Sequence, residues 1–448
     1  MPDGRSFRGA IAHGVQSLGT SAAWSIVGLV FSQGSTLLSN IWIANLLGKS
    51  GFGEYVIVLA TVQAAAALAS LGLGYTTTRY IAEWRHRDLV RTGELLGMFS
   101  RLSWVAAVVA ASLLALSSAG LASGALRAPA LGPALLLAAA STLFTVRSGF
   151  LTGALNGLES FRLISLNGIV AGIAYLSLTV GGAWRYGVQG AAVGLFVSAC
   201  LQCTLLTVAL HRERIRHALG KGAASFAKER RLLMRFALPA ALSGFSTIPV
   251  LWAVQALLAR SPNGFADLAV YGAGLNLLTM VMFAPSVLNG VAMAWINRSR
   301  VVSGEAAYRA AMRSNLGLSF LTVTAALIGM AVVGPTLLGL YGREFRTESF
   351  AIILLLASAL PETITNALHQ SLQARERMWD ALLAVNVPRD TVIVIVALLL
   401  IPSRGVTGAA IAYFCGRVAA LLGVYWLVHD KVGHPAPPVT MSSASTAE

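Results

Sequence analysis

Three arginines stand where arginines are costly. Arg147, Arg389 and Arg417 each lie deep inside a long apolar stretch, far from either of its ends. A guanidinium at the centre of a bilayer costs about 2.5–3.5 kcal/mol on insertion scales, so such residues are rare and usually face a polar cavity. The chemistry open to them is anion binding, because the planar fork of arginine meets carboxylate or phosphate oxygens two at a time. Carboxylates are scarcer at that depth, where Glu362 and Asp390 are the clear ones. A cavity with this balance suits an anionic ligand. Arg101 also falls in an apolar stretch, but close to its end, where a long cationic side chain can reach the surface by snorkelling.

Polar side chains accompany these charges at helical spacing. Ser25, Ser32 and Ser39 recur every seven residues, with Gly28, Ser35 and Thr36 on or near the same face. Small residues let helices pack closely, and a cavity wall is the other reading, since Gln33, Asn40 and Asn45 exceed what packing needs. Ser141, Thr145, Ser148, Thr152 and Asn156 share one face, with Arg147 at its edge; Glu362, Asn366, His369 and Gln373 share another. The ligand-binding candidates are therefore Arg147, Arg389, Arg417, Arg101, Asn366, Gln373, Ser32 and Ser39. Glu362, His369 and Asp390 are candidates for carrying a proton or ion. Structural pairing competes with both roles. Glu362 has an arginine as an alternative partner. Arg389 and Asp390 are chain neighbours, which point about 100° apart on a helix and do not make a simple pair. Arg417 on the adjacent span is the expected partner of Asp390, which would leave Arg389 free.

The elements that must position these residues are transmembrane helices. The chain has 448 residues, 56% hydrophobic and 11% charged, with a mean hydropathy of +0.71. A soluble domain cannot hide so much apolar surface. Since about 20 apolar residues cross the hydrocarbon core, twelve spans are expected, over 22–47, 52–78, 95–118, 133–155, 163–183, 188–210, 236–259, 270–296, 316–340, 350–372, 381–401 and 406–428. The net charge of +15 does not indicate nucleic acid, because the basic residues fall in short loops. Of the 33 lysines and arginines, 22 lie on one side, 7 on the other and four inside spans, which places both termini in the cytoplasm. The polar first residues and the long, Ser- and Asn-containing first span predict an uncleaved first helix rather than a signal peptide. Cys200 and Cys203 have a redox-like spacing but read as ordinary buried residues. The sequence has no P-loop, no cluster of metal ligands and no nucleophile constellation, so catalytic residues, metals and cofactors are not expected.

The two halves repeat each other. Gly187-Val-Gln-Gly-Ala-Ala-Val193 opens the sixth span and Gly405-Val-Thr-Gly-Ala-Ala-Ile411 the twelfth; Asn167 precedes the first copy by 20 residues and Asn386 the second by 19. Trp42…Leu46-Leu47…Tyr55 parallels Trp252…Leu257-Leu258…Tyr271. The expected organisation is an N-lobe over 1–210, a basic cytoplasmic linker over 211–235, a C-lobe over 236–429 and a disordered tail over 430–448. Six spans per half preserve orientation, so the lobes should relate by a pseudo-twofold axis along the membrane normal. The fold class is all-α integral membrane, with two six-helix lobes around a central cavity, the architecture of an alternating-access transporter. The two polar stripes occupy corresponding spans and are expected to face each other across that cavity. The linker also reads as a surface amphipathic helix touching anionic lipid, or simply as positive-inside topology.

Several segments together carry a family resemblance. They are Leu46-Leu47-Gly48-Lys49-Ser50-Gly51-Phe52-Gly53-Glu54-Tyr55, Leu71-Gly72-Leu73-Gly74-Tyr75-Thr76-Thr77-Thr78-Arg79-Tyr80-Ile81-Ala82, Pro239 and Pro249, Tyr271-Gly272-Ala273, and Leu340-Tyr341-Gly342…Phe345, with the two Gly-Val-x-Gly-Ala-Ala copies. Each is weak alone, but in this order they resemble the Wzx-type polysaccharide flippases of the multidrug/oligosaccharidyl-lipid/polysaccharide exporter superfamily. The resemblance implies a bacterial inner-membrane protein with two V-shaped lobes. It implies an oligosaccharide on undecaprenyl diphosphate as the substrate, turned from the cytoplasmic to the outer leaflet, with spans one, two, seven and eight framing a lateral gate for the lipid tail. Membrane lipid is a partner, a polysaccharide polymerase or glycosyltransferases are candidate partners, and a monomer is the default. Competing readings are a multidrug or toxin exporter of the same superfamily, a peptidoglycan-precursor flippase and a membrane scaffold for glycosyltransferases. Drug exporters typically use buried first-lobe carboxylates, absent here at mid-membrane depth; peptidoglycan-precursor flippases usually have two further helices; a scaffold gains nothing from deep arginines.

Overall fold

The computed structural model describes residues 4–70, 72–220, 222, 238–374 and 378–430. Most of the basic linker and nearly all of the expected tail lie outside the described residues. Every regular element among the described residues is helical: α1 (Gly4–Ser70), α2 (Leu73–Trp84), α3 (Leu89–Gly120), α4 (Gly132–Gly157), α5 (Phe161–Arg216), α6 (Leu238–Ala259), α7 (Gly264–Tyr341), α8 (Ser349–Ala357), α9 (Ala359–Ala374), α10 (Met378–Ala381) and α11 (Val387–Asp430), with short π and 3₁₀ turns between some of them. Eight described segments are long and apolar enough to cross a bilayer. This is an all-α membrane protein.

Three of those segments are far longer than one crossing needs, at 44, 56 and 49 residues, and each breaks at a glycine. Gly48 (φ 70°, ψ 178°) divides α1, Gly187 (φ 63°, ψ −144°) divides α5, and Gly405 (φ 52°, ψ −128°) divides α11. The positive φ at each break is a conformation that side chains with a Cβ disfavour. The two copies of the repeated motif therefore do the same job. Their first glycine makes the break and their second lets the arms cross: a Cβ on Gly190 would lie 2.0 Å from the Gly182 carbonyl oxygen, and one on Gly408 would lie 2.5 Å from that of Leu400. Both contacts join residues eight apart in the chain, one on each arm of a helical hairpin.

Within the first half, α1 packs on α5, α4 on α5, α3 and α2; within the second, α7 packs on α9 and α8, and α11 on α6 and α9. The halves meet through α1, which lies against α7 and α6. One core is common to both, joining Phe52, Tyr55, Leu135 and Leu195 to Leu258, Tyr271, Tyr341 and Ile401. A second core belongs to the first half alone, with Leu96, Phe99, Leu151 and Leu206, and a third to the second half alone, with Ala381, Val385, Val424 and Leu427. The common core lies toward the end bearing the glycine breaks, which is the charge-poor side. The separate cores lie toward the basic side.

The seam at the charge-poor end is tight. A Cβ on Gly53 would lie 1.8 Å from the Phe265 carbonyl oxygen, so the two halves touch there backbone to backbone. The Phe52 ring meets those of Tyr341 and Phe345 at 5.8 and 6.3 Å. Trp252 Nε1 donates to Thr61 Oγ1 at 2.9 Å, and Arg260 donates to the carbonyls of Gly124 and Ala125.

Candidate functional site

The deep charges of the second half are neutralised in place. Arg417 Nη2 lies 3.1 Å from Glu362 Oε1 and donates to Tyr413 Oη at 2.5 Å, while that hydroxyl donates to Glu362 Oε2 at 3.2 Å. The geometry follows from helix spacing: Tyr413 and Arg417 are four apart on α11 and present one face to Glu362 near the start of α9. Tyr271, fully buried on α7, lies in electrostatic contact with Tyr413 and Arg417. Pairing of Glu362 with an arginine is one of the two readings open from sequence, and its partner in the structure is Arg417.

The expected pairing of Asp390 with Arg417 is overturned. Asp390 takes its own chain neighbour instead: Arg389 Nε donates to Oδ1 at 2.9 Å and Nη2 to Oδ2 at 3.1 Å. The argument from the 100° offset failed because it compared Cα–Cβ directions. An arginine side chain is long enough to wrap around the helix and return its fork to an adjacent carboxylate. Arg389 also donates to Thr247 Oγ1 on α6, and His369 on α9 lies within its electrostatic reach. Arg389 is therefore not free.

Arg147 differs, because no described carboxylate pairs with it. It is 7% exposed. Its Nη1 donates to Ser103 Oγ at 2.6 Å and to the Ser100 carbonyl at 3.2 Å. The rings of Trp104 and Phe150 lie 5.2 and 4.7 Å from its guanidinium carbon. Nε keeps no partner. These contacts place Arg147 between α4 and α3, roughly opposite the exposed Gly149 on α4, since two residues on a helix turn it about 200°. Thr145, Thr152 and Asn156 flank Gly149 on the accessible face, and all are partly exposed. Only part of the predicted stripe is thus accessible: Ser141 and Ser148 are buried, and the arginine points away from the accessible face.

The remaining candidates divide. Arg101 is exposed on α3 beside Trp104, Val105 and Val108, which form an exposed, largely apolar stripe. Ser39 is fully buried, with Oγ bonded to the Ser35 carbonyl at 2.8 Å. Ser32 is half-buried, and its carbonyl accepts from Thr36 Oγ1 at 3.0 Å. On that face α1 and α5 approach closely: a Cβ on Gly28 would lie 2.7 Å from Ser165 Cα. The face with seven-residue spacing packs helices, at least at Gly28, Ser35 and Ser39. Asn366 is exposed on α9 and His369 partly so; the side chain of Gln373 lies outside the described residues.

A cavity of ≈ 250 Å³ opens where the two halves meet, between the first arm of α1 and α7. Gln33, Thr36, Asn276 and Thr279 give it polar groups, and Val30, Leu37, Met280 and Phe283 give it an apolar wall. Sequence reasoning had noted Gln33 and Thr36 but missed Asn276 and Thr279, which share one face of α7 at i, i+3 spacing. Tyr413 was missed too, although its place four residues before Arg417 was a readable signal.

A helical bundle whose halves join at one end, with a partly polar cleft between them, is a fold found among solved membrane transporters. Solved structures with this fold include the inward-facing conformation of a multidrug resistance MATE family transporter of the MOP superfamily. That comparison gives 16% identity, covers 91% of this chain and 98% of that one, and has a TM-score of 0.68. A MOP superfamily transporter from Pyrococcus furiosus, described as having a binding pocket of reversed polarity, superposes over 91% of this chain and 94% of its own, at 15% identity and a TM-score of 0.67. The EPS I polysaccharide export inner membrane protein EpsE of Ralstonia nicotianae is 24% identical over 375 residues, 79% of this chain and 81% of that protein. Its counterpart in Ralstonia solanacearum is 25% identical over 373 residues. Residues 18–296 match the polysaccharide biosynthesis protein family, and the chain belongs to that family.

Proposed function

We propose that this protein is a flippase that turns a polyprenyl-diphosphate-linked oligosaccharide from the cytoplasmic to the outer leaflet of a bacterial inner membrane, with both termini cytoplasmic. The observation that carries the reading is the cleft between α1 and α7, which offers polar groups and an apolar wall side by side at the junction of the halves. An amphiphile with a sugar headgroup and a hydrocarbon tail needs both surfaces at once. Membership of the polysaccharide biosynthesis family and the similarity to export proteins support the substrate class.

The roles of the deep arginines are revised within this reading. Arg389 and Arg417 are held by Asp390 and Glu362, so they hold the second half together, and Asn366 and His369 supply its polar wall. Arg147 keeps its charge unneutralised in a medium of low dielectric, where a charge acts over a longer range than in water. It gives the first-half wall a positive potential suited to a diphosphate. The twelve crossings, the two lobes and the pseudo-twofold axis are part of the same proposal, as is a monomer in contact with lipid and with polymerase or glycosyltransferases.

A doubly negative headgroup moving outward is driven by an inside-negative potential and gains about 2.3 kcal/mol per charge per 100 mV. Net transport then requires no coupled ion. Flipping in proteoliposomes should rise with an inside-negative potential; a rate that ignores potential and follows a pH gradient would instead assign proton carriage to Glu362, His369 or Asp390. The direct test is accumulation of polyprenyl-linked oligosaccharide in cells lacking the protein. Accumulation at the cytoplasmic face, relieved by the wild type, is the expected result. Altered drug sensitivity with no accumulation would move the protein to the drug-export branch.

A further inference from the structure

Tyr75 is 84% exposed, more than Trp184, Tyr186 and Phe350, the next most exposed aromatic rings among the described residues. It sits in the first turn of α2, just past the left-handed Gly72 (φ 67°), and α2 is strongly amphipathic, burying Leu73, Thr76, Thr77, Tyr80 and Ile81. The ring cannot turn inward, because the backbone beside it is already in contact. A Cβ on Gly153 would lie 2.4 Å from the Gly74 carbonyl oxygen, and one on Gly74 would lie 3.2 Å from that of Gly149. Tyr75 therefore stands at the rim of a backbone crossing between α2 and α4.

The space beside that rim is open. Gly149 is exposed, and a Cβ there would meet nothing within 4 Å. Its neighbours on the accessible face of α4 are Thr145, Thr152 and Asn156. A lipid-facing surface looks different in this molecule: the exposed stripe of α3 carries Trp104, Val105, Val108, Leu113 and Leu116. Polar groups set into lipid are expensive, so a wall of hydroxyl, amide and bare backbone faces a polar space. That wall lies toward the basic side, where the halves share no core among the described residues.

An exposed aromatic ring near a helix face of hydroxyl and amide groups, with open space over Gly149, has the makings of a carbohydrate subsite. The C–H face of a sugar ring is weakly positive and packs on the negative π face of an aromatic ring, while its hydroxyls take the neighbouring polar groups. We propose that Tyr75 is the stacking platform for a sugar ring of the substrate, and that the open space at Gly149 receives that ring as the substrate loads from the basic side. The proposal rests on the flippase reading and adds to it the residue that recognises the glycan rather than the lipid.

The test measures binding to the full chain in nanodiscs of two probes: the polyprenyl-diphosphate glycolipid fraction of the producing cells, and undecaprenyl diphosphate alone. Tyr75→Ala should weaken glycolipid binding about five- to tenfold, as expected for loss of one ring contact, and leave undecaprenyl diphosphate unchanged. Tyr75→Phe should bind both like the wild type, because the ring and not the hydroxyl is used. Gly149→Leu adds bulk in open space at a helical position, so it should fold and still weaken the glycolipid alone. Binding unchanged in both Tyr75→Ala and Gly149→Leu would overturn the proposal and make Tyr75 an interfacial anchor. Equal weakening of both probes would overturn it in favour of a general structural role. A wild type that binds undecaprenyl diphosphate and the glycolipid equally would remove glycan recognition while leaving lipid flipping intact; one that binds neither would bring down the flippase reading as well.

Discussion

At the scale of residues, two ion pairs dominate the second half, Arg389–Asp390 buried and Arg417–Glu362 largely so. Removing one partner of a buried pair leaves an uncompensated charge, which costs about 3–5 kcal/mol, whereas replacing both partners with neutral groups of similar size is often close to neutral. Arg417→Ala should therefore destabilise the protein by about that amount, and Glu362→Gln combined with Arg417→Met should recover most of it. Thermal unfolding in detergent checks both. If the double variant were as unstable as the single one, Tyr413 and Tyr271 would depend on the charges themselves rather than on a filled volume. Arg147 invites a different comparison, because among the described residues it has no carboxylate to leave behind. Arg147→Gln should fold, keep a hydrogen bond to Ser103, and slow flipping of the anionic headgroup in reconstituted vesicles. An unchanged rate would make the residue purely structural.

At the scale of elements, the repeated glycine motif builds two helical hairpins by one device, yet the copies are not equivalent. Gly187 breaks α5 in open space, and a Cβ there would meet nothing within 4 Å. Gly405 breaks α11 against a carboxylate: a Cβ would lie 2.1 Å from Asp267 Oδ2, the same atom that accepts from the Val406 amide at 3.1 Å. Asp267 is buried and satisfies a backbone donor at the start of the second arm. Gly187→Ala should cost only its positive-φ, extended-ψ backbone conformation, about 1–3 kcal/mol. Gly405→Ala should cost distinctly more, since Asp267 must also give up its place. Equal losses on unfolding would show that the carboxylate moves freely and contributes little.

At the scale of the whole molecule, the distribution of cores describes its state. The halves share one core at the charge-poor end and keep separate cores toward the basic end, so the molecule is sealed at the first. The seal depends on the backbone contact of Gly53 with Phe265, which leaves no room for a Cβ. It is reinforced by the Arg260 bonds to Gly124 and Ala125. Gly53→Val should wedge the seam apart. Spin labels at Ser50 and Arg343, both exposed and on opposite halves at that end, should report a longer distance in the variant than in the wild type. An unchanged distance would mean the seam yields locally without opening.

What the chain determined by itself is what depends on composition and on local backbone chemistry. Apolar runs of bilayer length make insertion unavoidable, and glycines in repeated surroundings mark the hairpins at Gly187 and Gly405 whatever packs around them. A helix fixes which residues share a face, so part of each polar stripe was legible: Thr145, Thr152 and Asn156 are accessible while Ser141 and Ser148 are buried, and Asn366 and His369 are accessible while Glu362 is taken by Arg417. Only the tertiary structure decided which neighbour each face meets. Arg147 shares a helix with the α4 stripe but turns to Ser103 and Trp104 on α3, and Asp390 takes Arg389 while Arg417 goes to Glu362 and Tyr413. The reason is reach and packing. Spacing along a helix sets directions about its own axis, whereas the partner of a long, charged side chain depends on how neighbouring helices are placed around it.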